Sequence, residues 1–310
     1  MTTAVAIALY NGARFIEEQL DTIRLQTKSP DFVVLCDDGS TDNTVALVKA
    51  YIEKYSLDCW KLIENEHNLG YIKNFYKAIS LCETDLVFLS DQDDIWEKEK
   101  IEKMTAIMEK NEEISLLSCK YGIIDSKGEL QHSVVEPQSA QKNTLHSVSV
   151  EDIMRAYRWP GMVMCLKKSF FDKILPFIED AKVAHDFMFV CLAADTNGFY
   201  EYDWIGAYHR RHNNNTAREE HRVSKLLNLE RKLFDIAETQ KLWNNFLNTD
   251  LEISQETRSA VEARLLLLNM RKEALEEKSL SKIVAMYKSD RAHTLRFKSF
   301  VCDLWLVLFG

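Results

Sequence analysis

Three carboxylates within four residues form the strongest chemical signal in the sequence. Asp91, Asp93 and Asp94, with Gln92 among them, directly follow the apolar run 86–89. Like charges this close repel one another unless solvent or a cation offsets them. Mg²⁺ and Mn²⁺ prefer oxygen ligands and often bridge carboxylates to substrate phosphates. The run therefore predicts a divalent-cation site; the alternative is an exposed acidic first turn of the next helix, stabilised by the helix dipole.

Strands and helices alternate around this acidic run. Continuous apolar stretches predict buried strands over 5–9, 32–36, 62–63 and 86–89. Helical spacing of apolar residues predicts helices between them, including 43–55 and 97–110. This alternation indicates βαβ units and a mainly parallel sheet, whose ligands bind beyond the carboxyl ends of the strands. We expect three polar loops to meet at that edge: 10–12, 37–42 and 90–94.

The C-terminal third has a different pattern. We predict an α/β domain over 1–217 and a helical region over 218–310, with two long helices between about 221 and 282. Basic residues precede the apolar run 300–309, which contains a Trp and two Phe and is too short to span a bilayer. This pattern is typical of a helix lying in the interface of an anionic membrane. The alternative is a terminal helix that docks on the core or on a second subunit, so a homo-oligomer stays open.

Composition narrows the class of protein. Apolar residues make up 46% and charged residues 28%, as in ordinary soluble domains. The net charge of -9 argues against a nucleic-acid binder, which needs a basic face. The seven cysteines form no C-x-x-C pair, which favours buried, reduced thiols. With no signal-peptide pattern at the N-terminus, we expect a cytoplasmic protein.

Taken in order, seven short segments resemble glycosyltransferase family 2, the inverting, nucleotide-sugar-dependent enzymes with the GT-A fold. The resemblance covers about residues 3–215. It implies a Rossmann-like, mainly parallel sheet flanked by helices, followed here by a C-terminal helical extension. The segments are 8–12, 36–42, 68–70, 90–96, 161–162, 185–186, and Arg210 with His212.

The resemblance implies a donor site in the loops at the strand ends. The first loop would touch the nucleoside, and the Asp38 carboxylate would accept a hydrogen bond from the imide N–H of uracil or thymine. Asp37 would either order its loop or act as an Asx-type turn residue. The implied nucleotide-sugar-binding residues are Leu9, Tyr10, Asn11, Asp38, Asp91, Gln92 and Arg210.

The resemblance also implies a metal site and a base. Asp93 would be the principal ligand of Mg²⁺ or Mn²⁺, with Asp91 and His212 as further ligands, while Asp94 would support the loop. Asp186 would take the proton of the acceptor hydroxyl as that oxygen attacks the anomeric carbon, with His185 orienting it. The alternative for Asp186 is a plain helix N-cap.

The segments 90–96, 10–12 and 18–20 are similar to those of bacterial rhamnosyltransferases of cell-wall and capsular polysaccharide synthesis. This similarity implies dTDP-L-rhamnose as donor and a lipid-linked saccharide acceptor at the cytoplasmic face of the membrane. UDP-glucose and UDP-galactose stay open as donors.

Two other classes could use such a sheet edge. A nucleotidyltransferase would usually carry a Gly-rich loop and a Lys for the triphosphate near the first strand, and residues 1–30 show neither pattern. A non-catalytic nucleotide-sugar-binding partner would bind a donor without needing a base. The presence of Asp186 argues against that second class.

Overall fold

The fold is an α/β structure built on one sheet. The computed structural model describes residues 1–131, 142–180, 183–212, 228–289 and 297–309, apart from the side chains of residues 297 and 298. In these ranges the strands are β1 (Thr3–Leu9), β2 (Phe32–Asp37), β3 (Trp60–Glu64), β4 (Leu86–Ser90), β5 (Ile95–Trp96), β6 (Leu116–Ile124), β7 (Leu145–Ser147), β8 (Met164–Lys167) and β9 (Phe199–Arg210).

Helices follow most of the strands. Those of the described ranges are α1 (Ile16–Arg24), α2 (Thr44–Lys54), α3 (Tyr71–Ser80), α4 (Lys100–Lys110), α5 (Val150–Arg155), α6 (Lys168–Ile178), α7 (His185–Asp195), α8 (Leu229–Leu247), α9 (Gln255–Glu276), α10 (Leu280–Ser289) and α11 (Phe297–Phe309).

The predicted α/β class is confirmed, and the sheet has two halves. The strand order is β3-β2-β1-β4-β8-β6-β9-β5, with β7 on β9. Strands β1 to β4 pair in parallel, as the βαβ pattern predicted. The other half is mixed, because β8 runs antiparallel to both β4 and β6. The parallel half therefore carries the predicted strand-end loops.

Burial explains why the parallel strands are apolar throughout. Val5, Ile7, Val33, Leu35 and Phe88 are all inaccessible to solvent within one core cluster. A parallel sheet covered on both faces needs apolar side chains on both sides of each strand, instead of alternation. The core thus fixes the strands, and the polar residues begin where the strands end.

The chain divides into two compact units. The first comprises 1–148, 159–180 and 184–215, and the second comprises 149–158, 181–183 and 216–310. The predicted boundary at residue 217 stays a prediction, since it lies outside the described residues. Among the described residues, every helix falls short of the length and apolar content that crossing a membrane requires.

The described part of the range 221–282 contains the two long helices expected there, α8 and α9, and a third helix, α10, begins at Leu280. Ser254 caps the start of α9, its side chain accepting a hydrogen bond from the Thr257 N–H. Lys278, with a φ of 50°, separates α9 from α10. Caps and a left-handed residue end helices without any Gly or Pro.

Candidate active site

Three loops at the carboxyl ends of β1, β2 and β4 lie against one another. The Gln92 side chain joins the first and third loops, because it donates to the Tyr10 carbonyl and accepts from the Tyr10 N–H, both at 2.9 Å. Asn11 joins the first and second loops. Its N–H donates to Ser40 Oγ at 2.9 Å, and its Oδ1 accepts from the Thr41 N–H at 2.8 Å. The convergence expected from the strand order is present.

Close approach explains the glycine in the first loop. A Cβ added at Gly12 would overlap the carboxamide of Gln92. The Gly12 N–H also donates to Thr44 Oγ1 at 2.8 Å. The paired contact of Gln92 with Tyr10 therefore depends on the absence of a side chain at Gly12.

Asp37 orders the second loop. Its carboxylate accepts from the N–H groups of Gly39 at 3.1 Å and Ser40 at 2.9 Å, and from the Ser40 hydroxyl. Such bonds to the backbone two and three residues ahead are those of an Asx-type turn. Both roles suggested for Asp37 are thus met by the same contacts.

Asp38 ties the second loop to the start of α3. Its buried carboxylate accepts from the N–H groups of Leu69 at 2.7 Å and Gly70 at 2.8 Å, and from Asn65 Nδ2 at 2.9 Å. The predicted contact with a pyrimidine would use an acceptor position beyond these three. That contact stays a prediction.

The three acidic side chains of the run, named here the acidic centre (Asp91, Asp93 and Asp94), have different surroundings. Asp94 is fully buried, and its Oδ1 accepts from the Arg210 N–H at 3.1 Å and lies 3.2 Å from His209 Nδ1. Its Oδ2 is buried with no hydrogen-bond partner in the described chain. These contacts suit the loop-supporting role expected for Asp94.

The other two carboxylates are half-buried. Asp93 Oδ2 lies 2.6 Å from His212 Nε2, so the two predicted metal ligands are adjacent. The carboxylate of Asp91 makes no hydrogen bond and no ion pair to any described residue. Asp91 is therefore the part of the acidic centre with most coordination capacity left.

Strand β9 brings the basic residues to the acidic centre. It runs antiparallel to β5, with Ile95 opposite Tyr208, so the residues after β9 return past the acidic run. The buried Arg210 guanidinium donates to the Asp93 carbonyl at 2.8 Å and to Glu18 Oε2 at 2.7 Å. These bonds use two of the five N–H donors of the guanidinium, and the predicted phosphate contact of Arg210 stays a prediction.

The Phe15 ring contacts Arg210 and His212, the two site residues that come last in the sequence. Its ring is 4.8 Å from the guanidinium carbon of Arg210 and 4.9 Å from the His212 ring. Sequence reasoning took Phe15 only as a helical core position and gave Glu18 no contact with Arg210. The available signal was the position of Glu18, three residues after Phe15, a spacing that brings two side chains to the same face of a helix.

The acidic centre carries excess negative charge. Burial and the neighbouring charges of Asp94 and Asp93 raise the pKa of Asp91 well above its usual range. Burial and Asp94 likewise raise the pKa of Asp93, against the effect of His212. Burial would lower the pKa of His209, but the hydrogen bond to Asp94 and the surrounding carboxylates raise it to about 9. A bound cation would relieve the same repulsion.

A buried lysine offsets part of this charge, and sequence reasoning missed it. Lys100 is inaccessible to solvent, donates to the Met162 carbonyl at 2.5 Å, and lies 3.4 Å from the Trp96 ring centroid. Burial lowers its pKa to about 8, an effect that Asp94 and Asp91 oppose. The sequence signal for this burial was the four-residue spacing of Trp96, Lys100 and Met104. At that spacing the lysine lies within an apolar stripe of the helix.

Asp186 lies in the first turn of α7. The N-cap is Ala184, so the alternative interpretation of Asp186 as N-cap was wrong: Asp186 is the second residue of the helix itself. Among the described residues, its Oδ1 accepts from the Phe187 N–H alone, at 2.8 Å, and Asp186 is half-buried. Burial is the main cause of the raised pKa of Asp91 and of Tyr71, and the negative charge of Asp186 contributes to both increases. Asp186 therefore interacts electrostatically with the acidic centre.

His185 supports this helix start from within the core. Its ring lies 4.3 Å from the Phe75 ring, and neither ring nitrogen has a hydrogen-bond partner in the described chain. Burial lowers its pKa, against the opposing charge of Asp186. A Cβ at Gly161 would lie 2.9 Å from His185 Nε2, so the glycine admits the ring. His185 is thus placed as a packing residue beside Asp186.

The donor chemistry fits a hard divalent cation. Asp91 offers a carboxylate without hydrogen bonds, and Asp93 and His212 offer an oxygen and an imidazole nitrogen, ligands that suit Mg²⁺ or Mn²⁺. The described residues contain no cluster of three or more such side chains already arranged to hold a metal. Metal binding would therefore require the Asp93–His212 hydrogen bond to give way.

Comparison with known proteins gives the family. A family model described as glycosyl transferase family 2 matches residues 4–171. Putative glycosyltransferase EpsE of Bacillus subtilis (strain 168) is 30% identical over 145 residues, 46% of this chain and 52% of that protein. dTDP-rhamnosyl transferase RfbG of Shigella flexneri is 37% identical over 99 residues, 31% of this chain and 34% of that protein. The chain thus spans about half or less of these relatives' length.

Solved structures share the fold at low identity. S. aureus TarS 1–349 in complex with UDP-GlcNAc has a TM-score of 0.60 and 21% identity, covering 93% of this chain and 78% of that chain. Mannosyltransferase PcManGT from Pyrobaculum calidifontis, in complex with GDP-Man and Mn²⁺, has a TM-score of 0.56 and 16% identity, covering 99% of this chain and 87% of that chain. Both likenesses concern the fold alone.

Proposed function

Since the chain belongs to glycosyl transferase family 2, we propose that it transfers a sugar, with inversion, from a nucleoside-diphosphate donor to an acceptor hydroxyl. One observation carries this proposal. The unpaired carboxylate of Asp91 lies at the ends of parallel strands, where ligands of such sheets bind, and Asp186 acts on it electrostatically. The proposed cation site and the proposed base would then lie at one edge of the sheet.

The donor would bind across the three joined loops. Leu9, Tyr10, Asn11 and Gln92 would contact the nucleoside; half of the Tyr10 surface is exposed, which supports this contact. Asp38 would accept from the pyrimidine imide, and Arg210 would lie beside the phosphates.

Asp93, Asp91 and His212 would hold Mg²⁺ or Mn²⁺. The chemistry that such a cation would supply is neutralisation of charge on the leaving diphosphate. The protein supports this function by keeping an excess of negative charge at the site. The fold-related mannosyltransferase solved with Mn²⁺ agrees with this choice of metal.

Asp186 would act as the base. Its free carboxylate oxygen would take the proton of the acceptor hydroxyl while the hydroxyl oxygen forms a bond to the anomeric carbon. The bond from that carbon to the diphosphate oxygen breaks, and the nucleoside diphosphate leaves from the opposite face. Buried His185 would hold the start of α7 in place for this step.

We propose L-rhamnose as the sugar and dTDP-rhamnose as the donor. The local identity with the rhamnosyl transferase RfbG supports this choice. UDP-glucose and UDP-galactose are the competing donors, and the fold relatives TarS and PcManGT were solved with other nucleotide sugars. Asp38 favours a pyrimidine nucleotide, because an ionised carboxylate accepts from the imide N–H.

We propose a lipid-linked saccharide as acceptor, reached at the cytoplasmic face of the membrane. The apolar outward face of α11 supports this location, with exposures of 50% for Val301, 39% for Trp305, 54% for Leu308 and 71% for Phe309. Such a face suits insertion into a membrane interface. Trp305→Ser combined with Phe309→Ser should lose cosedimentation with anionic vesicles while keeping donor turnover. Equal cosedimentation of this variant and wild type would contradict the membrane proposal.

A panel of nucleotide sugars tests the activity. The purified chain is incubated with dTDP-rhamnose, UDP-glucose or UDP-galactose and a lipid extract, with Mn²⁺ or with EDTA. Release of nucleoside diphosphate is then measured. We expect release from one pyrimidine donor, lost in EDTA. Binding of a donor without release from any of them would favour a non-catalytic partner, and release of pyrophosphate from a nucleoside triphosphate and a sugar phosphate would favour a nucleotidyltransferase.

A further inference from the structure

A second cluster of buried charge lies in the second compact unit, far along the sequence from the acidic centre. Side chains of α8 and α9 line a half-open cavity of about 100 Å³. Three basic side chains line it, named here the basic cluster: Lys232 from α8, and Arg264 and Arg271 from α9. Each of these three residues is at least nine-tenths buried.

One buried carboxylate, that of Asp303, forms ion pairs with this cluster. Asp303 of α11 is inaccessible to solvent and accepts from Arg271 Nε at 2.7 Å and from a terminal nitrogen of Arg271 at 2.9 Å. The Tyr287 hydroxyl lies 3.4 Å from the same carboxylate. The oxygens of Asp303 are therefore already occupied, mainly by the bidentate contact with Arg271.

Asp303 makes an ion pair with Lys232 but accepts no hydrogen bond from it. Its Nζ lies 3.8 Å from Asp303 Oδ1, an ion pair too long for a hydrogen bond. Its ammonium group has three donors, and no described residue accepts a hydrogen bond from it. Burial and the charge of Arg271 lower the pKa of Lys232, against the effect of Asp303. The residue is nine-tenths buried, but solvent still reaches the ammonium nitrogen, so its donors are open to an acceptor in the cavity.

The remaining acidic side chain at the cavity does not supply that acceptor. Asp235 is exposed and pairs with Arg231, one turn earlier on α8, at 3.0 Å. The cavity thus brings the side chains of two mostly buried basic residues, Lys232 and Arg271, to a space large enough for a tetrahedral oxyanion, since a water molecule occupies about 30 Å³ of the liquid.

We propose that this cavity binds a phosphate group, with Lys232 as its principal ligand. The oxygens of a phosphate would accept from the ammonium of Lys232 and from the guanidinium nitrogen of Arg271 that Asp303 leaves unused. Strong charge-assisted bonds of this kind are what Lys and Arg provide in phosphate sites. The source is either free phosphate or the phosphate of a lipid headgroup, and the chemistry of recognition is the same.

Titration calorimetry with sodium phosphate tests the site. The full chain is titrated at about pH 7.5 in EDTA, with sodium chloride holding the ionic strength constant. We expect saturable binding by wild type. Lys232→Met should weaken binding about tenfold or more, because one charge-assisted bond is lost. Lys232→Arg should retain it, and Lys241→Met, which removes an exposed lysine of the same helix, should leave it unchanged.

Vesicles separate the two sources of phosphate. Phosphatidic acid in phosphatidylcholine should compete with inorganic phosphate if a headgroup is bound, whereas no competition would indicate free phosphate. Circular dichroism is used to check that Lys232→Met is folded. If Lys232→Met does not fold, Lys232→Arg is compared with wild type in its place. Equal phosphate affinity in wild type and Lys232→Met, or no phosphate binding by wild type, would overturn the proposal.

Discussion

The acidic centre and the basic cluster are opposite solutions to the same physical problem. Each concentrates one sign of charge away from solvent, and each also buries residues of the other sign. Lys100 is the buried cation beside Asp91 and Asp94, and Asp303 is the buried anion beside Arg271. In the basic cluster three basic residues face one Asp303. At the acidic centre Arg210 is paired with Glu18, and repulsion among the carboxylates still raises the pKa of Asp91 and of Asp93.

The two regions differ in where the excess lies. The acidic centre is at the ends of strands in a sheet, and Asp91 there is half-buried without a hydrogen bond. The excess in the basic cluster faces a cavity between two helices, where Lys232 is almost fully buried. Buried charge is costly without a partner, so the sign of the excess predicts the sign of the ligand. The first region should take a cation and the second an anion.

The largest effect should come from the carboxylate assigned to catalysis. Asp186→Asn removes the proton acceptor, and we expect the release of nucleoside diphosphate to slow about 1,000-fold, within the range of general base catalysis. Mn²⁺ and donor affinity should stay within about threefold, because Asp186 is assigned no ligand role. Asp180→Asn, at an exposed surface pair with Lys73, serves as the control. Turnover by Asp186→Asn at the wild-type rate would remove Asp186 from the mechanism.

Next in size is the loss of the counter-charge in the basic cluster. Asp303→Asn leaves Arg271 and Lys232 without their buried anion, which should lower the free energy of unfolding by about 3–5 kcal/mol. Urea unfolding followed by circular dichroism measures it, with exposed Asp250→Asn as the matched control. A midpoint equal to that of wild type would show that Asp303 does not hold the cluster together.

A smaller effect should follow from closing the space at Gly12. Gly12→Ala places a methyl group against the Gln92 carboxamide, which must leave Tyr10. The loss of two hydrogen bonds at the donor site should raise the KM for the donor about tenfold. Adding Gly12→Ala to Gln92→Ala should then cost nothing further, since the obstructing side chain is gone. Additive losses in the double variant would place the effect elsewhere.

The smallest effect concerns the charge of Asp91 itself. A folded-state pKa above the unfolded value means that the folded protein binds more protons, so stability falls as pH rises through that window. In EDTA at about pH 7.5, Asp91→Asn should therefore be more stable than wild type, by about 1 kcal/mol. The difference should shrink as pH falls below the raised pKa of Asp91 toward 3.8. An Asp91→Asn protein less stable than wild type in EDTA would contradict the charge excess.

The sequence predicted the elements that have strong periodicity. Apolar runs located β1, β2 and β4, and helical spacing located α2 and α4, because burial on both faces or on one stripe leaves a clear pattern. The resemblance then grouped Asp91, Asp93 and His212, two of which are in contact. Long-range partners left no such pattern. The pairing of Glu18 with Arg210 depends on β9 returning past β5, which only the folded sheet reveals.

Charge compensation was also hidden in the sequence. Lys100 resembles an ordinary helix lysine until its burial against Trp96 is known. Lys232 and Arg271 likewise look like solvated helix residues, and residues 221–282 were interpreted only as apolar stripes. Whether a charge is buried depends on packing between elements, which local spacing does not determine.

The central claim is that the carboxylate excess of the acidic centre binds a divalent cation together with a nucleoside diphosphate. Electron paramagnetic resonance of Mn²⁺ in the presence of UDP measures it directly, since Mn²⁺ bound to the protein loses the signal of the free ion. Matched samples without protein correct for the Mn²⁺ that UDP binds by itself. We predict one protein-bound Mn²⁺ per chain in wild type and in Lys232→Met, and at least tenfold weaker binding in Asp93→Asn. A free-ion signal that wild type leaves unchanged, or that Asp93→Asn reduces as strongly as wild type does, would contradict the account.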